Sequence, residues 1–472
     1  MYFEPLTLED VLNVYRHEKC DGAIVQFGGQ TPLNLANQLE ENGVHIIGTS
    51  PAMIDAAEDR KLFGDIVNKL QVLQPPSGMA QTADEAVAIA HKIGFPVLAR
   101  PSFVLGGRAM CIVHDEAALR KYMEEEALEV SPDRPILVDH FLEQATECDV
   151  DCISDGETAE ICGIMEHIEL AGIHSGDSAC TIPPPTFSKE IQARLRKLAI
   201  DFARELHVVG LMNVQFAVHG DDIYVIEVNP RASRTVPFVS KATGIPFAKL
   251  AALVMAGKKL KDLGYTKLFT PKYYAVKEAV FPFARFPGVD VILSPEMKST
   301  GEVMGLDYRH SMAYIKSQVG AGNYVPMKGN IFLSVKDADQ ETVVPYAQRL
   351  VKLGFEIYST RGTSTVLRNH GIKTHGVFRI SDGRPNVLDL IDEKDLAWIV
   401  NTPTPGAKAA KDEAKIRSTC ILRGIPITTT IDALRATVEG LEDMKGESGD
   451  GKFGVEVCSI QEYQRHAPKV NV

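Results

Sequence analysis

The densest group of residues that could do chemistry lies in GLMNVQFAVHGDDIYVIEVNPRASRT, residues 210–235. This pattern predicts two strands paired around the HGDD turn. Glu227 and Asn229 are two residues apart and share one face of the second strand, and Gln215 on the first strand lies nearly opposite Glu227. Three oxygen donors in this arrangement suit Mg²⁺ that bridges nucleotide phosphates. The alternative is an ordinary solvated sheet face.

Two arginines follow the second strand directly. Arg231 and Arg234 lie in PRASRT, just past the predicted metal ligands. Planar guanidinium groups can hold a carboxylate-like or phosphate-like substrate through paired hydrogen bonds. Surface arginines that close a strand are the alternative, which is reasonable for either residue alone and less so for the pair.

A glycine turn forms a second element. In VLARPSFVLGGRAM, residues 97–110, Arg100 ends a predicted strand and Gly106 and Gly107 occupy a turn. Adjacent glycines let backbone N–H groups approach phosphates closely. Turns use such pairs constantly, so the position after Arg-Pro-Ser is what favours a nucleotide lid.

A hinge between strands forms a third element. In ILVDHFLEQATECDVDC, residues 136–152, an apolar strand leads into His140 and Leu142, and Glu147 begins the next strand. Backbone groups in such a hinge can pair with an adenine edge, and a carboxylate can bind ribose hydroxyls. Taken alone, the segment is indistinguishable from any strand connection.

A fourth element is HIELAGIHSGDSACTIPP, residues 167–184, where His174 and Ser175 follow a glycine. A histidine in a loop is more often structural or on the surface than catalytic. This segment by itself therefore assigns no role.

The elements that must position these residues begin with a strand–helix–strand pattern. Strands are predicted at 22–28 and 44–48 with a helix between them, which indicates a parallel βαβ unit. Because one such unit cannot cover both faces of a parallel sheet, residues 1–50 are interpreted as the remnant of a larger domain.

An α+β body with an antiparallel sheet is predicted next. One helix is expected at 57–70. A second helix is expected between Thr82, which would be its N-cap, and Gly94, which would be its C-cap. Strands dominate from 134 to 230, apart from one long helix at 189–207 whose apolar residues fall on one face, namely Ile191, Leu195, Leu198, Phe202 and Leu206.

The remaining chain is predicted to form a closing subdomain and an alternating α/β unit. The domain division is 1–50 (remnant of a larger domain), 51–270 (α+β body), 271–330 (closing subdomain and linker) and 331–472 (alternating α/β unit). The polar, glycine-rich DMKGESGDGKFG at 443–454 predicts a mobile loop.

Composition excludes several function classes. The 472 residues are 45% hydrophobic and 24% charged, with a net charge of −12. This acidic balance offers no electrostatic footprint for nucleic acid or anionic lipid. Eight cysteines in a chain this long do not indicate a disulfide framework. None of them lies in a C-x-x-C pair that would indicate a zinc or redox site. The N-terminus lacks a signal-peptide pattern, and a cytoplasmic location is expected.

These segments together resemble a known family. IMEHIELAGIHSGDSAC, RPSFVLGGRAM, GLMNVQFAV, IEVNPRASRTVPFVSKATG and FPGVDVILSPEMKSTGEVMG closely resemble the second synthetase half of the carbamoyl phosphate synthetase large subunit. The resemblance covers the whole chain and is most specific from 139 to 245. It implies a multidomain α/β and α+β fold: the remnant of a Rossmann-like pre-ATP-grasp domain, an ATP-grasp domain, and a C-terminal methylglyoxal synthase-like α/β domain.

The resemblance also implies roles at particular positions. The nucleotide phosphates would be contacted by Arg60 and Arg100 and covered by a lid at Gly106 and Gly107. The adenine hinge would be lined by His140 and Leu142, and Glu147 would bind the ribose. The rest of the nucleotide site would be lined by Gly172, Ile173, His174 and Ser175. Gln215, Glu227 and Asn229 would hold the divalent metals, and Arg231 and Arg234 would grip carbamate beside Asn229.

The implied reaction is in-line phosphoryl transfer from MgATP to carbamate, which gives carbamoyl phosphate for pyrimidine and arginine biosynthesis. Positioning and charge neutralisation supply the acceleration in such a reaction. The implied cofactors are ATP, Mg²⁺ or Mn²⁺, and K⁺. The implied partners are a glutaminase small subunit and the N-terminal half of the large subunit.

In the tail, the resemblance implies an effector site. Thr360, Thr363, Arg379 and Asn401 match positions that would contact an effector phosphate or ribose. Gln340 replaces a lysine of some relatives, and Pro403 replaces a threonine, although Thr404 is adjacent. No tryptophan occurs near 379, which argues against acetylglutamate, and UMP is the first expectation. The ornithine-site carboxylates Glu169, Asp177 and Glu278 are present, but Thr428 in place of a tyrosine argues against ornithine control.

Two alternatives from other classes stay open. The chain could be another ATP-grasp ligase, such as a biotin carboxylase relative, although the biotin-accepting Met-Lys-Met motif is absent. It could also be a non-catalytic regulatory fragment. Nucleotide binding and turnover would separate these alternatives from the synthetase.

Overall fold

Three sheets organise the part of the chain that the structure describes. The computed structural model describes residues 1–101, 109–130, 135–286, 291–393, 396–403, 407–447 and 455–471. Gly106 and Gly107 lie outside these residues. No single helix in the described ranges is long and apolar enough to cross a membrane; one pair, 236–243 and 247–255, passes that test only jointly and is bent by 114°.

The N-terminal segment is helical, with little sheet. Its helices are α1 (Leu8–Glu18), α2 (Gln30–Leu33), α3 (Ala36–Glu41), α4 (Pro51–Glu58) and α5 (Arg60–Leu70). The predicted strands 22–28 and 44–48 are wrong in extent, because only one parallel bridge forms, between Ala23 and Ile46. A parallel pair with no third strand beside it in the described chain has few ladder partners, although Val25 and Ile46 are buried in a small apolar core.

The predicted helix over 57–70 is two helices. Asp59 interrupts it, because this residue has extended backbone angles and its side chain accepts hydrogen bonds from the backbone N–H groups of Lys61 and Leu62. This is an N-cap, which satisfies donors that the helix itself cannot. The break places Arg60 at the first position of α5.

A four-stranded antiparallel sheet follows, in the order β1-β4-β2-β3. Its elements are β1 (Ser77–Ala80), α6 (Ala83–Ile93), β2 (Val97–Pro101), β3 (Cys111–Val113), α7 (Glu116–Val130) and β4 (Ile136–His140). The predicted caps of α6 are confirmed: Thr82 and Glu85 form a reciprocal capping box, and Gly94 ends the helix with φ of +90°.

The central sheet has seven strands and is antiparallel throughout, in the order β11-β10-β7-β6-β5-β8-β9. Its elements are β5 (Thr146–Asp155), β6 (Ala159–Leu170), β7 (Cys180–Ile182), α8 (Lys189–Glu205), β8 (Val209–His219), β9 (Asp222–Asn229), α9 (Val236–Thr243), α10 (Phe247–Met255), β10 (Tyr274–Val280), β11 (Gly301–Asp307) and α11 (His310–Gly320). The predicted antiparallel sheet and its long helix are therefore confirmed.

The third sheet is parallel, in the order β14-β13-β12-β15-β16. Its unit comprises β12 (Asn330–Ser334), α12 (Val344–Leu353), β13 (Glu356–Thr360), α13 (Arg361–Asn369), β14 (His375–Val377), α14 (Val387–Glu393), β15 (Leu396–Asn401), α15 (Ala407–Arg423), β16 (Ile427–Thr428) and α16 (Ile431–Glu447); α17 (Ile460–Tyr463) follows it. The loop predicted at 443–454 is wrong in its first part, because α16 continues to Glu447. The rest of that loop, 448–454, lies outside the described residues.

Helix α11 joins the central sheet to this parallel unit. Met312 and Ile315 pack into the core of the parallel unit, whereas Ala313 and Tyr314 pack against the central sheet. The helix approaches β11 so closely that a Cβ at Gly305 would lie 2.1 Å from the Ala313 carbonyl oxygen. Glycine at this position therefore permits the contact.

The last described segment, 455–471, returns to the central body. Tyr463 is buried in the core beneath α9 and α10, with its ring centroid 5.2 Å from that of Tyr273. Its hydroxyl accepts a hydrogen bond of 3.3 Å from Lys316 Nζ, and the Asn471 backbone N–H donates to the Leu263 carbonyl at 2.9 Å. This segment therefore packs on the central body rather than on the parallel sheet.

We expect Tyr463→Ala to lower the free energy of unfolding by about 3 kcal/mol, because it empties a buried aromatic position. Tyr463→Phe keeps the ring and loses only one hydrogen bond, a change of about 1 kcal/mol. Urea denaturation of both variants measures the difference. Equal midpoints for the two variants would show that the segment does not pack where the structure places it.

Candidate active site

One face of the central sheet is divided into an apolar end and a polar end. Ile153 and Leu211 pack under α9 and α10 at the apolar end. Alternate residues of β5, β8 and β9 make the polar end: Glu147, Asp149, Asp151, Asn213, Gln215, Glu227 and Asn229. The opposite face carries Cys148, Val150 and Cys152 in the main apolar core. Strand periodicity thus separates core from candidate site.

The three predicted metal ligands lie together on the polar end. Gln215 and Glu227 face each other across β8 and β9. Asn229 Nδ2 donates to Glu227 Oε1 at 2.9 Å, and the Glu227 side chain is exposed to solvent. This set of carboxylate and amide oxygens fits a hard divalent cation such as Mg²⁺.

The two predicted acceptor-binding arginines follow directly after β9. Arg231 Nη2 donates to Asn229 Oδ1 at 3.2 Å, and its Nη1 donates to the Ala232 carbonyl at 3.3 Å. Burial lowers the pKa of Arg231, although an arginine so placed stays charged at neutral pH. Arg234 is exposed, and its Nη1 contacts the Met297 sulfur. A cationic region therefore begins where the predicted metal ligands end.

One carboxylate holds both predicted phosphate-binding arginines. Asp139 Oδ1 accepts from Arg60 Nη2 at 2.9 Å, and its Oδ2 accepts from Arg100 Nε at 3.0 Å. The arginines come from α5 and β2, whereas Asp139 lies on β4. Each arginine side chain is about a third exposed, at 33% and 31%. Asp139 thus orients two guanidinium groups that still reach solvent.

The predicted adenine hinge lies between β4 and β5. His140 Nδ1 is 3.0 Å from the Gly94 carbonyl oxygen, so this nitrogen carries a proton and donates. Leu142 is half-buried, and its carbonyl accepts from the Ala145 N–H at 3.4 Å. The Nδ1 atom of His140 is therefore bonded to the end of α6.

Glu147 connects the hinge to the loop after β6. Its Oε1 accepts from the Gly172 backbone N–H at 3.3 Å, and its Oε2 accepts from Gln215 Nε2 at 2.8 Å. Burial raises the pKa of Glu147. Gly172 has φ of +103°, and a Cβ there would lie 2.9 Å from the Phe141 ring. Glycine is thus required for the loop to approach the hinge.

The loop from Ile173 to Ser175 lies over the polar end, with all three residues half-buried. His174 Nδ1 accepts from the Gly176 N–H at 3.0 Å, and burial lowers the pKa of His174. The ring is consequently neutral at neutral pH, with its proton on Nε2. The Ser175 carbonyl accepts from the buried Lys277 Nζ at 3.1 Å.

Comparisons with known proteins identify the family of the chain. Residues 59–263 match the carbamoyl-phosphate synthase L chain ATP-binding domain, residues 1–56 match the carbamoyl phosphate synthase preATP-grasp domain, and residues 342–429 match the MGS-like domain. The carbamoyl phosphate synthase large chain, C-terminal section, of Aquifex aeolicus is 48% identical over 478 residues, which cover 98% of this chain and 88% of the relative. The chain belongs to the carbamoyl phosphate synthase large chain family.

Other relatives in this family are longer. The carbamoyl phosphate synthase large chain of Myxococcus xanthus is 51% identical over 98% of this chain, but the match covers only 42% of the relative's length. The carbamoyl phosphate synthase large chain of Acidobacterium capsulatum is 52% identical over 93% of this chain and 41% of the relative's length. The chain therefore spans less than half the length of these relatives.

Solved structures show the same fold in distant proteins. A Campylobacter jejuni biotin carboxylase in complex with β,γ-ATP has a TM-score of 0.54 at 17% identity, over 66% of this chain and 78% of its own. The biotin carboxylase domain of Hydrogenobacter thermophilus 2-oxoglutarate carboxylase, solved with MgADP and bicarbonate, has a TM-score of 0.55 at 17% identity. The match covers 68% of this chain and 78% of that domain. These likenesses confirm the predicted ATP-grasp architecture.

The sequence analysis does not predict a buried polar network that lies beside the candidate site and joins β5 and β8 to the segment after β9. Asp151 accepts from Asn213 Nδ2, Ser233 Oγ and Thr235 Oγ1 at 2.9, 2.9 and 2.7 Å, and burial raises the pKa of Asp151 to about 6. The bonds from Ser233 and Thr235 fix the end of the loop that contains Arg231 and Arg234 to the sheet, just before α9 begins. The signal was present in the alternation Glu147-x-Asp149-x-Asp151, which puts three acids on one strand face.

A second missed group is Asp149, His167 and Cys180, whose potential ligand atoms lie within 4.8 Å of one another. His167 Nε2 lies 2.9 Å from Asp149 Oδ2. Burial disfavours a charged imidazole, but Cys180 and Asp149 outweigh it and raise the pKa of His167. Lys277 is fully buried nearby; burial lowers its pKa, but neighbours that include Glu302 and Asp149 raise it. The group is thus a buried polar network beside a buried lysine.

The carboxylates Glu169 and Glu278 form a buried acidic pair between β6 and β10. Glu169 Oε2 accepts from the Ala179 N–H at 2.8 Å, whereas Glu278 Oε2 has no partner among the described residues. Burial, reinforced by Glu169, raises the pKa of Glu278 well above its usual range. Asp177 instead accepts from the backbone N–H groups of Lys298 and Ser299.

Three of the four predicted effector residues, Thr360, Thr363 and Asn401, gather at the carboxyl ends of the parallel strands. Thr360 ends β13 and shares a hydrogen bond of 3.0 Å with Ser334 Oγ at the end of β12. Asn401 ends β15, where its Nδ2 donates to the Ser334 carbonyl at 3.2 Å. Thr363, in the first turn of α13, accepts from the Val335 N–H at 3.3 Å. Parallel strands place these ends at one edge.

Other tail positions lie apart from this cluster or serve the core. Arg379 is exposed beyond β14. Gln340 Nε2 donates to Asp337 Oδ1 at 2.8 Å, and Thr428 accepts from Trp398 Nε1 at 3.0 Å. Pro403 is half-buried, and Thr404 lies outside the described residues.

Proposed function

We propose that this chain catalyses the MgATP-dependent phosphorylation of carbamate to carbamoyl phosphate, the second phosphoryl transfer of carbamoyl phosphate synthase. The observation that supports the proposal best is the sequence of groups along β9 and beyond it. Oxygen donors at Glu227 and Asn229 are followed at once by Arg231, which hydrogen-bonds Asn229. A metal–phosphate centre and an anion-binding centre thus adjoin, as transfer between two anions requires.

Gln215, Glu227 and Asn229 are the residues proposed to hold Mg²⁺ or Mn²⁺. A bound divalent ion would neutralise charge on the transferring phosphoryl group. Binding requires the Asn229 amide to turn from Glu227, so its oxygen can join the ligand set. The exposed carboxylate of Glu227 needs no rearrangement of the core. A role for K⁺ stays a prediction.

The chain's own groups would bind and orient the nucleotide. Arg60 and Arg100 present guanidinium groups held by Asp139, with Gly106 and Gly107 proposed as the lid and Gly172 to Ser175 as lining. Glu147 is the proposed ribose ligand, in exchange for its bond to Gly172. His174 offers Nε2–H as a neutral donor, because its Nδ1 already accepts from Gly176.

The direct test is whether the purified chain forms ATP from MgADP and carbamoyl phosphate. Biotin carboxylases share the fold only at 17% identity, so a biotin-dependent reaction has no support beyond architecture. A chain that binds no nucleotide would instead be the non-catalytic alternative.

We also propose the partners and setting of the reaction. A glutaminase small subunit and the remainder of the large subunit would supply carbamate, since this chain spans 42% of a full-length relative. The proposed domain division stays 1–50, 51–270, 271–330 and 331–472, except that 455–471 packs on the central body. A cytoplasmic location stays a prediction.

We propose that the carboxyl edge of the parallel sheet binds a phosphorylated nucleoside such as UMP. Hydroxyls of Thr360 and Thr363, with the amide of Asn401, surround this edge. Thr363 also lies in the first turn of α13, where backbone N–H groups favour an anion. Arg379 would have to approach from β14.

Thr363→Ala should weaken UMP binding by roughly tenfold, because it removes one hydroxyl from a phosphate site. Thr365→Ala on the exposed side of the same helix is the matched control. Calorimetric titration of the intact chain with UMP and IMP measures both, since the returning segment 455–471 makes a tail fragment incomplete. Unchanged UMP affinity in Thr363→Ala would move the site elsewhere.

A further inference from the structure

Gln26 is a buried glutamine whose amide is fully hydrogen-bonded. It is 0% exposed. Its Nε2 donates to the Pro230 carbonyl at 2.6 Å and to Thr49 Oγ1 at 3.1 Å, while its Oε1 accepts from the Thr49 N–H at 2.9 Å. A single side chain therefore ties the N-terminal segment to the loop after β9, 204 residues away along the chain.

The backbone of Gln26 makes a second contact with that loop. Its carbonyl oxygen accepts from the Ala232 N–H at 3.0 Å. The two peptide groups on either side of Arg231 are consequently both held by Gln26, one through the Pro230 carbonyl and one through the Ala232 N–H. The Arg231 N–H itself donates to the Asn229 carbonyl at 2.8 Å. The backbone orientation of Arg231 is thereby fixed.

The surroundings of the amide leave it one position. Gly48 has φ of +118°, and a Cβ on it would lie 2.1 Å from Gln26 Oε1. A side chain at residue 48 would therefore displace the amide. An apolar residue at 26 would leave the Pro230 carbonyl without its side-chain donor in a buried place, which costs free energy.

We infer that Gln26 is a positioning residue for Arg231, and thus for the acceptor end of the active site; this rests on the proposed function. Gln26 does not contact substrate. It sets the direction in which the Arg231 guanidinium leaves the backbone. Small displacements of a binding group change rates steeply, so loss of this clamp should affect the acceptor and spare the nucleotide.

The matched pair of variants is Gln26→Met and Thr49→Val. Thr49 Oγ1 forms hydrogen bonds with Gln26 and with the Val209 backbone N–H and carbonyl, but none with residues 230–232. Both variants lose buried hydrogen bonds and should be destabilised. Only Gln26→Met should raise the KM for carbamoyl phosphate, by at least about tenfold, with the KM for MgADP changed less than about twofold.

Hydrogen exchange supplies a readout independent of turnover. The amides of residues 231–235 should exchange faster in Gln26→Met and at the wild-type rate in Thr49→Val. Gly48→Ala displaces the same amide and replaces Gln26→Met as the test variant if Gln26→Met does not fold. It should also raise the KM for carbamoyl phosphate more than the KM for MgADP.

The outcomes separate this inference from the proposed function. Equal losses for carbamoyl phosphate and MgADP, or identical behaviour of Gln26→Met and Thr49→Val, would overturn the positioning role. If the wild-type chain forms no ATP at all, the proposed function fails. Unchanged exchange at residues 231–235 would then still overturn the clamp, whereas faster exchange would support it.

Discussion

Glu227→Gln is expected to abolish phosphoryl transfer while the fold is retained. The substitution removes the anionic member of the set Gln215, Glu227 and Asn229, and a lost metal ligand costs several kcal/mol of transition-state stabilisation. That corresponds to a fall in kcat of roughly a hundredfold or more. The side chain is exposed, so stability should change little. Initial rates of ATP formation at several Mg²⁺ concentrations measure the effect.

Glu157→Gln is the matched control, because Glu157 is an exposed carboxylate at the β5–β6 turn, paired with Lys259 at 2.8 Å. Its rate should equal that of the wild type. Near-normal activity of Glu227→Gln at low Mg²⁺ would contradict the metal assignment.

Arg231→Ala is expected to lower kcat/KM for carbamoyl phosphate by roughly a hundredfold, since hydrogen bonds to charged groups contribute about 1.5–3 kcal/mol. MgADP affinity should change far less, because Arg231 lies beyond the metal ligands on the acceptor side. Arg231→Lys should rescue poorly, since an ammonium group cannot reproduce a planar pair of donors. Steady-state kinetics with each substrate varied in turn separate the two effects.

Arg196→Ala is the control for loss of a cation, because Arg196 lies on α8, which packs on the opposite face of the sheet, and it pairs with Glu160 at 2.8 Å. Losses of equal size for MgADP and carbamoyl phosphate in Arg231→Ala would refute its placement at the acceptor.

The parts of the fold that follow from local pattern were predictable from sequence. The apolar face of α8 is an example: Ile191, Leu195, Phe202 and Leu206 are buried, and Leu198 is half-buried. The capping residues Thr82 and Gly94 likewise mark the ends of α6. Periodicity and caps act within a few residues, so one sequence contains them completely.

The errors concern features that depend on distant neighbours. Residues 22–28 carry a strand pattern, yet they form one bridge because strand pairing needs partners that local propensity does not supply. The polar sequence 443–447 predicts a loop, but α16 continues through it and Met444 is buried in the tail core. Tertiary packing overrode composition there.

The candidate site divides in the same way. The pairing of Gln215 with Glu227 follows from a hairpin and its turn, and the register bears it out. Asp139 could not be assigned, because its partners Arg60 and Arg100 lie 79 and 39 residues away. Gln26 is further still from the loop that it holds. Such contacts depend on how the three described sheets are arranged relative to one another. This arrangement cannot be inferred from a local sequence pattern.

The central claim is tested most directly by mixing the purified chain with MgADP and carbamoyl phosphate and following ATP. Formation of ATP, lost in Glu227→Gln and unaffected by glutamine, is the predicted result, because this step is reversible phosphoryl transfer. A folded, nucleotide-binding chain that shows bicarbonate-dependent ATP hydrolysis but forms no ATP from carbamoyl phosphate would contradict the claim.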